Sequence, residues 1–185
     1  MRRTRWRVPG SPGRIGRRVG VTSTACILTA ALAVERRAIE HERASFTGCQ
    51  FARLAIAAQD ALANGMERVM VIDYDAHHGN GTQAIFEQSP EVFFASSHQM
   101  PLYPGTGYPD EVGCGNILNM PLKAQSGGKE FRQAWKQLGL PALHAFAPDL
   151  ILISAGFDAH AGDPLAQLKL KDSDYAWITT AICEY

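Results

Sequence analysis

Two almost uninterrupted apolar runs, Val69-Met70-Val71-Ile72 and Leu150-Ile151-Leu152-Ile153-Ser154, constrain the fold of this chain more than any other feature. Short runs without polar alternation read as strands covered on both faces, the pattern of a parallel sheet packed between helices. Helical spacing surrounds them. Phe51, Leu54, Ala55, Ala58 and Leu62 recur on one face between Cys49 and Met66, with Asn64-Gly65 as a stop. A second helix is expected over 128–146, with Phe131, Trp135 and Leu138 on one face and a break near Pro141, and a third over 172–185. Thr82 can cap a short helix over 83–88. Val92-Phe93-Phe94-Ala95-Ser96 and residues 117–122 read as further strands, and the Gly/Pro/Tyr-rich stretch 101–115 as a structured loop. Alternation of strands and helices without internal repeats predicts an α/β fold with a mostly parallel sheet.

Both apolar runs end in polar residues that a buried strand would not carry idly. The first continues as Asp73-Tyr74-Asp75-Ala76-His77-His78-Gly79-Asn80-Gly81, the second as Ala155-Gly156-Phe157-Asp158-Ala159-His160. If the chain stays extended, Asp73, Asp75 and His77 share one side, at the carboxyl edge where ligand sites of α/β sheets lie. With the two strands parallel, Asp158 emerges at the same edge. Two carboxylates, an imidazole and an open position make the donor set of a catalytic rather than a structural zinc site. Zinc there would polarise a carbonyl and lower the pKa of a bound water to about 7. Glycines 79, 81, 105, 107 and 156 would let backbone approach closely. Taken singly, Asp158 also reads as a turn former, and His78 and His160 as hydrogen-bonded structural histidines. Strand-D-x-D also opens haloacid-dehalogenase-type phosphatases, but His77 stands where their Thr or Val would be. D-x-H opens metallophosphoesterases, whose later G-N-H element is absent. Spacing alone therefore points to a metal-dependent hydrolase.

Composition narrows the classes further. The chain has 185 residues, 46% hydrophobic and 19% charged, which suits one globular domain. Formal net charge is zero, but seven arginines lie within residues 1–18, leaving 11 basic against 18 acidic residues in the remainder. An acidic body disfavours nucleic-acid binding. Cys26, Cys49, Cys114 and Cys183 form no C-x-x-C pair, so neither a disulfide framework nor a cysteine zinc site is expected, and reduced cytoplasmic thiols are the default. No run is long enough for a membrane span. The Arg-rich leader followed by 19–34 imitates an export signal; the alternative reading of 1–43 is a disordered or mis-assigned leader before a domain at 44–185.

Several motifs together resemble the zinc-dependent histone deacetylases and their acetylpolyamine amidohydrolase relatives, closer to class II and bacterial members than to class I. Residues 71–83 (VIDYDAHHGNGTQ) resemble the family's zinc strand and loop, and Ser97-His98-Gln99 with Leu102-Tyr103-Pro104-Gly105-Thr106-Gly107 its pocket loop. Residues 113–119 resemble the segment after it, and 154–160 with Asp163-Pro164-Leu165-Ala166 the third-ligand loop. The resemblance runs from about Ala44 to Tyr185 and implies a three-layer, arginase/deacetylase-like fold, incomplete at both ends. It implies Asp75, His77 and Asp158 as zinc ligands, and Asp73 as a residue behind them that also helps Ser96 bind a structural potassium ion. Asn80 would support a catalytic histidine, and Tyr103 would line the channel for an acetyl-lysine or acetylpolyamine arm.

The implied reaction is amide hydrolysis to an amine and acetate. The family's tandem histidines have no counterpart in residues 35–43, and no Gly-rich loop with an oxyanion tyrosine follows Asp158. The expectation is a chain that carries the metal half of the site. It is read as a zinc-dependent amide hydrolase of acetylated lysine or polyamines, or an inactive, truncated or frame-shifted piece of one; the alternatives are a remnant that binds metal or a partner without catalysis, and a metal-dependent phosphatase. Oligomeric state is left open.

Overall fold

The computed structural model describes residues 26–28 and 49–185, with side chains from Arg53 onward. Five parallel strands form one sheet in the order β1-β5-β2-β3-β4. They are β1 (Cys26–Leu28), β2 (Val69–Asp73), β3 (Val92–Gln99), β4 (Ile117–Leu122) and β5 (Leu150–Ser154). The helices are α1 (Cys49–Ala63), α2 (Asn80–Phe86), α3 (Gly128–Ala134), α4 (Leu140–Phe146) and α5 (Asp172–Cys183). Of the Arg-rich leader only Cys26–Leu28 is described, paired with β5; the remaining expectations for residues 1–48 lie outside the described residues.

Strand β2 is buried along its length and β5 as far as Ile153, as their lack of polar alternation predicts. Alternate side chains feed two cores. Met70, Ile72, Phe93, Ala95, Met120, Ile151 and Ile153 face Phe131, Trp135, Leu143, Ile178 and Ile182 of the helices α3 to α5. Val69, Val71, Val92, Phe94, Leu150 and Leu152 face Leu54, Ala55, Ala58 and Phe86 of α1 and α2. The result is the three-layer α/β arrangement with a parallel sheet. Among the described residues, no helix is long and apolar enough to cross a membrane.

Several local expectations shift. Strand β3 runs past Ser96 to Gln99, because His98 and Gln99 still pair with Pro121 and Leu122 of β4. Ser97-His98-Gln99 is therefore strand, not pocket loop. Helix α2 starts at Asn80 with Gly79 before it, so Thr82 sits buried inside the helix instead of capping it. The break in the long helix comes earlier than Pro141, as a π-helical turn at Trp135–Gly139 in which the Leu140 N–H reaches the Trp135 carbonyl. Pro141 has no N–H to continue the ordinary ladder, and the Trp135 ring lies against Gly139, where a Cβ would overlap it. The stop of α1 holds: Gly65 takes φ +96°, a left-handed conformation suited to glycine.

Candidate metal centre

Strands β2 and β5 are neighbours in register, Asp73 beside Ser154, so the chain leaves both at the same carboxyl edge. Because β2 ends at Asp73, the alternation that would align Asp73 with Asp75 and His77 stops there. Asp75 and His77 sit in the following turn instead. The Asp75 N–H donates to Asp73 Oδ1 (3.2 Å), and the His77 N–H to Asp75 Oδ1 (2.7 Å). Asp158 reaches across from the β5 loop. Its Oδ1 accepts the Ala76 N–H at 2.8 Å, and its Oδ2 lies 2.6 Å from His77 Nδ1. Asp158 sits in the turn closed by the His160 N–H on the Phe157 carbonyl (3.0 Å), but its side chain serves the contact across to β2 rather than that turn.

One ligand atom from each of Asp75, His77 and Asp158 lies within 4.8 Å of the others, and all three residues are half-buried. Two carboxylates in so small a space repel. Burial, then the charge of Asp158, raises the Asp75 carboxyl to about 7 against opposing help from His77. A divalent cation reverses this balance, since carboxylates beside a metal ion ionise outright. Without cysteine, and with one imidazole, two carboxylates and an exposed side, the donor set fits zinc in an open site. Gly156 allows the two loops to meet, because a Cβ there would overlap that of Asp75 and stand 3.1 Å from Asp158 Oδ1. Gly156→Ala is expected to weaken zinc binding about tenfold, as shifts of the shell around a metal do; unchanged affinity in a chelator competition would contradict the role assigned to this contact.

Asp73 lies behind these residues, 1% exposed. Its Oδ2 is buried without a hydrogen-bond partner, one of three such side-chain atoms among the described residues. Burial, then Asp75, pushes its carboxyl well above the ordinary range. Ser96, opposite Asp73 in register, donates its hydroxyl to His98 Nδ1 at 3.0 Å. Asn80 opens α2, is exposed, and donates its backbone N–H to the His78 carbonyl at 2.8 Å. Tyr103 is 75% exposed in the loop between β3 and β4, and Phe157 (65%) and Leu165 (73%) are exposed in the loop after β5.

The histidines not facing the metal position are locked. His78 Nε2 donates to Gln83 Oε1 (2.9 Å) while Nδ1 accepts from the Thr106 hydroxyl (2.8 Å). His98 Nε2 donates to the Gly107 carbonyl (3.0 Å). The two rings meet tilted, 4.8 Å between centroids, and a Cβ on Gly107 would lie 2.5 Å from His98 Nε2. Gln83 in turn takes an N–H from Asn119 (2.8 Å) and donates to Glu111 (2.6 Å). Burial, then neighbouring His78, lowers the His98 pKa to about 4. Its neutral ring stabilises the fold fully above the ordinary value of 6.5, and that contribution fades as pH falls toward 4. An NMR titration is expected to show a midpoint near 4; one above 6 would contradict the neutral network. His160 is structural as well, accepting the Gly162 N–H at 3.1 Å. Gln83, Glu111 and Asn119 were not singled out from the sequence, where isolated amides and a loop carboxylate carry no spacing signal.

Residues 38–185 match the histone deacetylase domain. The chain belongs to the histone deacetylase family. It is 45% identical over 141 residues to the chloroplastic histone deacetylase 10 of Oryza sativa subsp. japonica, covering 74% of this chain and 32% of that protein. Among solved structures, the HDA15 HD domain superposes with a TM-score of 0.69 at 41% identity, over 71% of this chain and 41% of that one. An acetylpolyamine aminohydrolase from Burkholderia pseudomallei gives 0.66 at 35% identity, over 70% and 40% respectively. The chain spans less than half the length of the curated relatives it matches.

Proposed function

We propose that Asp75, His77 and Asp158 hold a zinc ion and that the chain serves the hydrolysis of acetyl amides on lysine side chains or polyamines. The observation that carries this reading is the convergence of the three ligand atoms within 4.8 Å, from two adjacent strand ends of a histone deacetylase domain. When bound, zinc would supply Lewis-acid polarisation of the amide carbonyl and a water of lowered pKa. The chain's own residues set the stage. Asp158 orients the His77 ring through its 2.6 Å contact, and the Ala76 N–H fixes the other oxygen of Asp158. Asp73, through the Asp75 N–H, holds the turn that presents both β2-side ligands. Its unpartnered Oδ2 beside Ser96 suits a monovalent cation such as potassium, which would neutralise the buried carboxylate. Tyr103, exposed in the loop between β3 and β4, would line the path of an acetylated arm.

A second reading, a protein that binds metal or a partner without turnover, is favoured by one observation: both ring nitrogens of His78 and of His98 are engaged, so neither ring has a free nitrogen for exchanging a proton with a substrate. The test loads the chain with zinc and follows deacetylation of an acetyl-lysine peptide and of an N-acetylated polyamine. One zinc per chain with amine release is expected. One zinc without release would establish the second reading, and magnesium-dependent release of phosphate from a phosphomonoester would overturn both.

A further inference from the structure

We infer that Tyr175 is a positioning residue that holds the Asp158 loop in register with the Asp75–His77 turn. The inference rests on the metal-site reading above and concerns a residue on α5, in a different layer from the strand ends.

The ring of Tyr175 touches both segments that deliver ligands. On one side it lies 6.1 Å from the ring of Tyr74, the residue between Asp73 and Asp75. On the other it meets Phe157 edge-on at 5.3 Å and His160 at 6.5 Å, the aromatic residues on either side of Asp158. Such separations are those of attractive aromatic pairs. Phe157 is 65% exposed, and Tyr175 is its one ring partner among the described residues, so this contact sets where Phe157 sits. Beside the Asp158 side-chain contacts to Ala76 and His77, the loop is held by its own turn bond from the His160 N–H to the Phe157 carbonyl and, beyond it, by the Leu170 N–H to the Ala159 carbonyl and the Ala161 N–H to the Leu170 carbonyl.

Tyr175 is presented from a rigid base. Next to it, buried Asp174 accepts Arg132 Nε at 2.8 Å and the Lys171 N–H at 2.9 Å, and Ile178 and Ile182 fill the core below. A site built on a locked helix residue places its neighbours more closely than a loop can do unaided. The ring, not the hydroxyl, carries the role, because the buried hydroxyl has no hydrogen-bond partner.

Zinc affinity, measured by competition with a chromophoric chelator alongside the thermal midpoint, tests this in the 185-residue chain. Tyr175→Ala is expected to weaken zinc binding by about tenfold or more, the range seen when supports of a metal ligand are removed. Tyr175→Phe keeps the ring and is expected to stay within about threefold of the unsubstituted chain. Ile182→Ala, which loosens the same helix without touching either loop, is expected to lower the midpoint while leaving zinc affinity within about threefold. Where Tyr175→Ala does not fold, Tyr175→Leu carries the same threshold. Tyr175→Ala binding zinc as tightly as the unsubstituted chain would overturn the inference, as would Ile182→Ala losing affinity equally. No zinc binding by the unsubstituted chain would overturn the metal reading itself, a result distinct from either.

Discussion

Asp158→Ala is expected to weaken zinc binding by at least about a hundredfold, beyond the range for residues that merely support a ligand. The substitution removes one of the converging donors and two local restraints at once. Ala76 loses the acceptor of its N–H, and His77 loses the 2.6 Å contact that holds its ring. The consequence is readable without any assay of turnover. A metal that binds only the folded chain raises the thermal midpoint, by about 2.7 kcal/mol of stability at a hundredfold excess over its dissociation constant. In the unsubstituted chain, zinc should therefore raise the midpoint, and in Asp158→Ala the rise should vanish. Asp158→Asn separates the contributions, since its amide oxygen still accepts from Ala76 while the charge is gone; its affinity should fall between the two. A full zinc-dependent rise in Asp158→Ala would remove Asp158 from the ligand set.

The largest expected loss of stability lies away from the metal, at Asn116. Its side chain is 4% exposed, and its Nδ2 faces three backbone carbonyls, of Phe86 at 2.7 Å, Ser89 at 2.9 Å and Val92 at 2.7 Å. These carbonyls come from the end of α2, the turn after it and the start of β3, so one amide at the head of β4 ties the whole connection together. Asn116→Asp replaces the donor by an acceptor aimed at three acceptors. Leaving buried groups unpaired costs about 1–3 kcal/mol each, so a loss of about 4 kcal/mol or more is expected. For a chain of this size that corresponds to a fall in thermal midpoint on the order of 10 °C. Asn116→Ala, which orphans the carbonyls without adding repulsion, should fall less far. A midpoint within about 2 °C of the unsubstituted chain for Asn116→Asp would show that the amide is not holding the connection.

What could be read from the sequence follows how local each cause is. The apolar runs at β2 and β5 identify themselves, because burial on both faces leaves no polar residue to mislead. The candidate ligands Asp75, His77 and Asp158 could be grouped because parallel neighbouring strands share an exit edge, and that edge is where the structure brings them together. The extent of β3 was not legible. His98 and Gln99 look like a polar loop, and only pairing with β4 and the Ser96 and Gly107 partners of His98 make them strand. The same holds for Thr82, a good cap by type, which is drawn into the core when α2 begins earlier. Gln83, Glu111, Asn116 and Asn119 owe their roles to partners up to 36 residues away, which no local pattern encodes. Tyr175 lies further still from Tyr74, though not from Phe157 and His160, and its helical spacing reads only as core.

The central claim is that a zinc ion sits among Asp75, His77 and Asp158, and X-ray absorption on the zinc-loaded chain tests it most directly. A first shell of oxygen and one imidazole nitrogen at about 2.0–2.2 Å is expected, lost on Asp158→Ala. Sulfur scattering at about 2.3 Å, or an unchanged shell in Asp158→Ala, would place the metal elsewhere and contradict it.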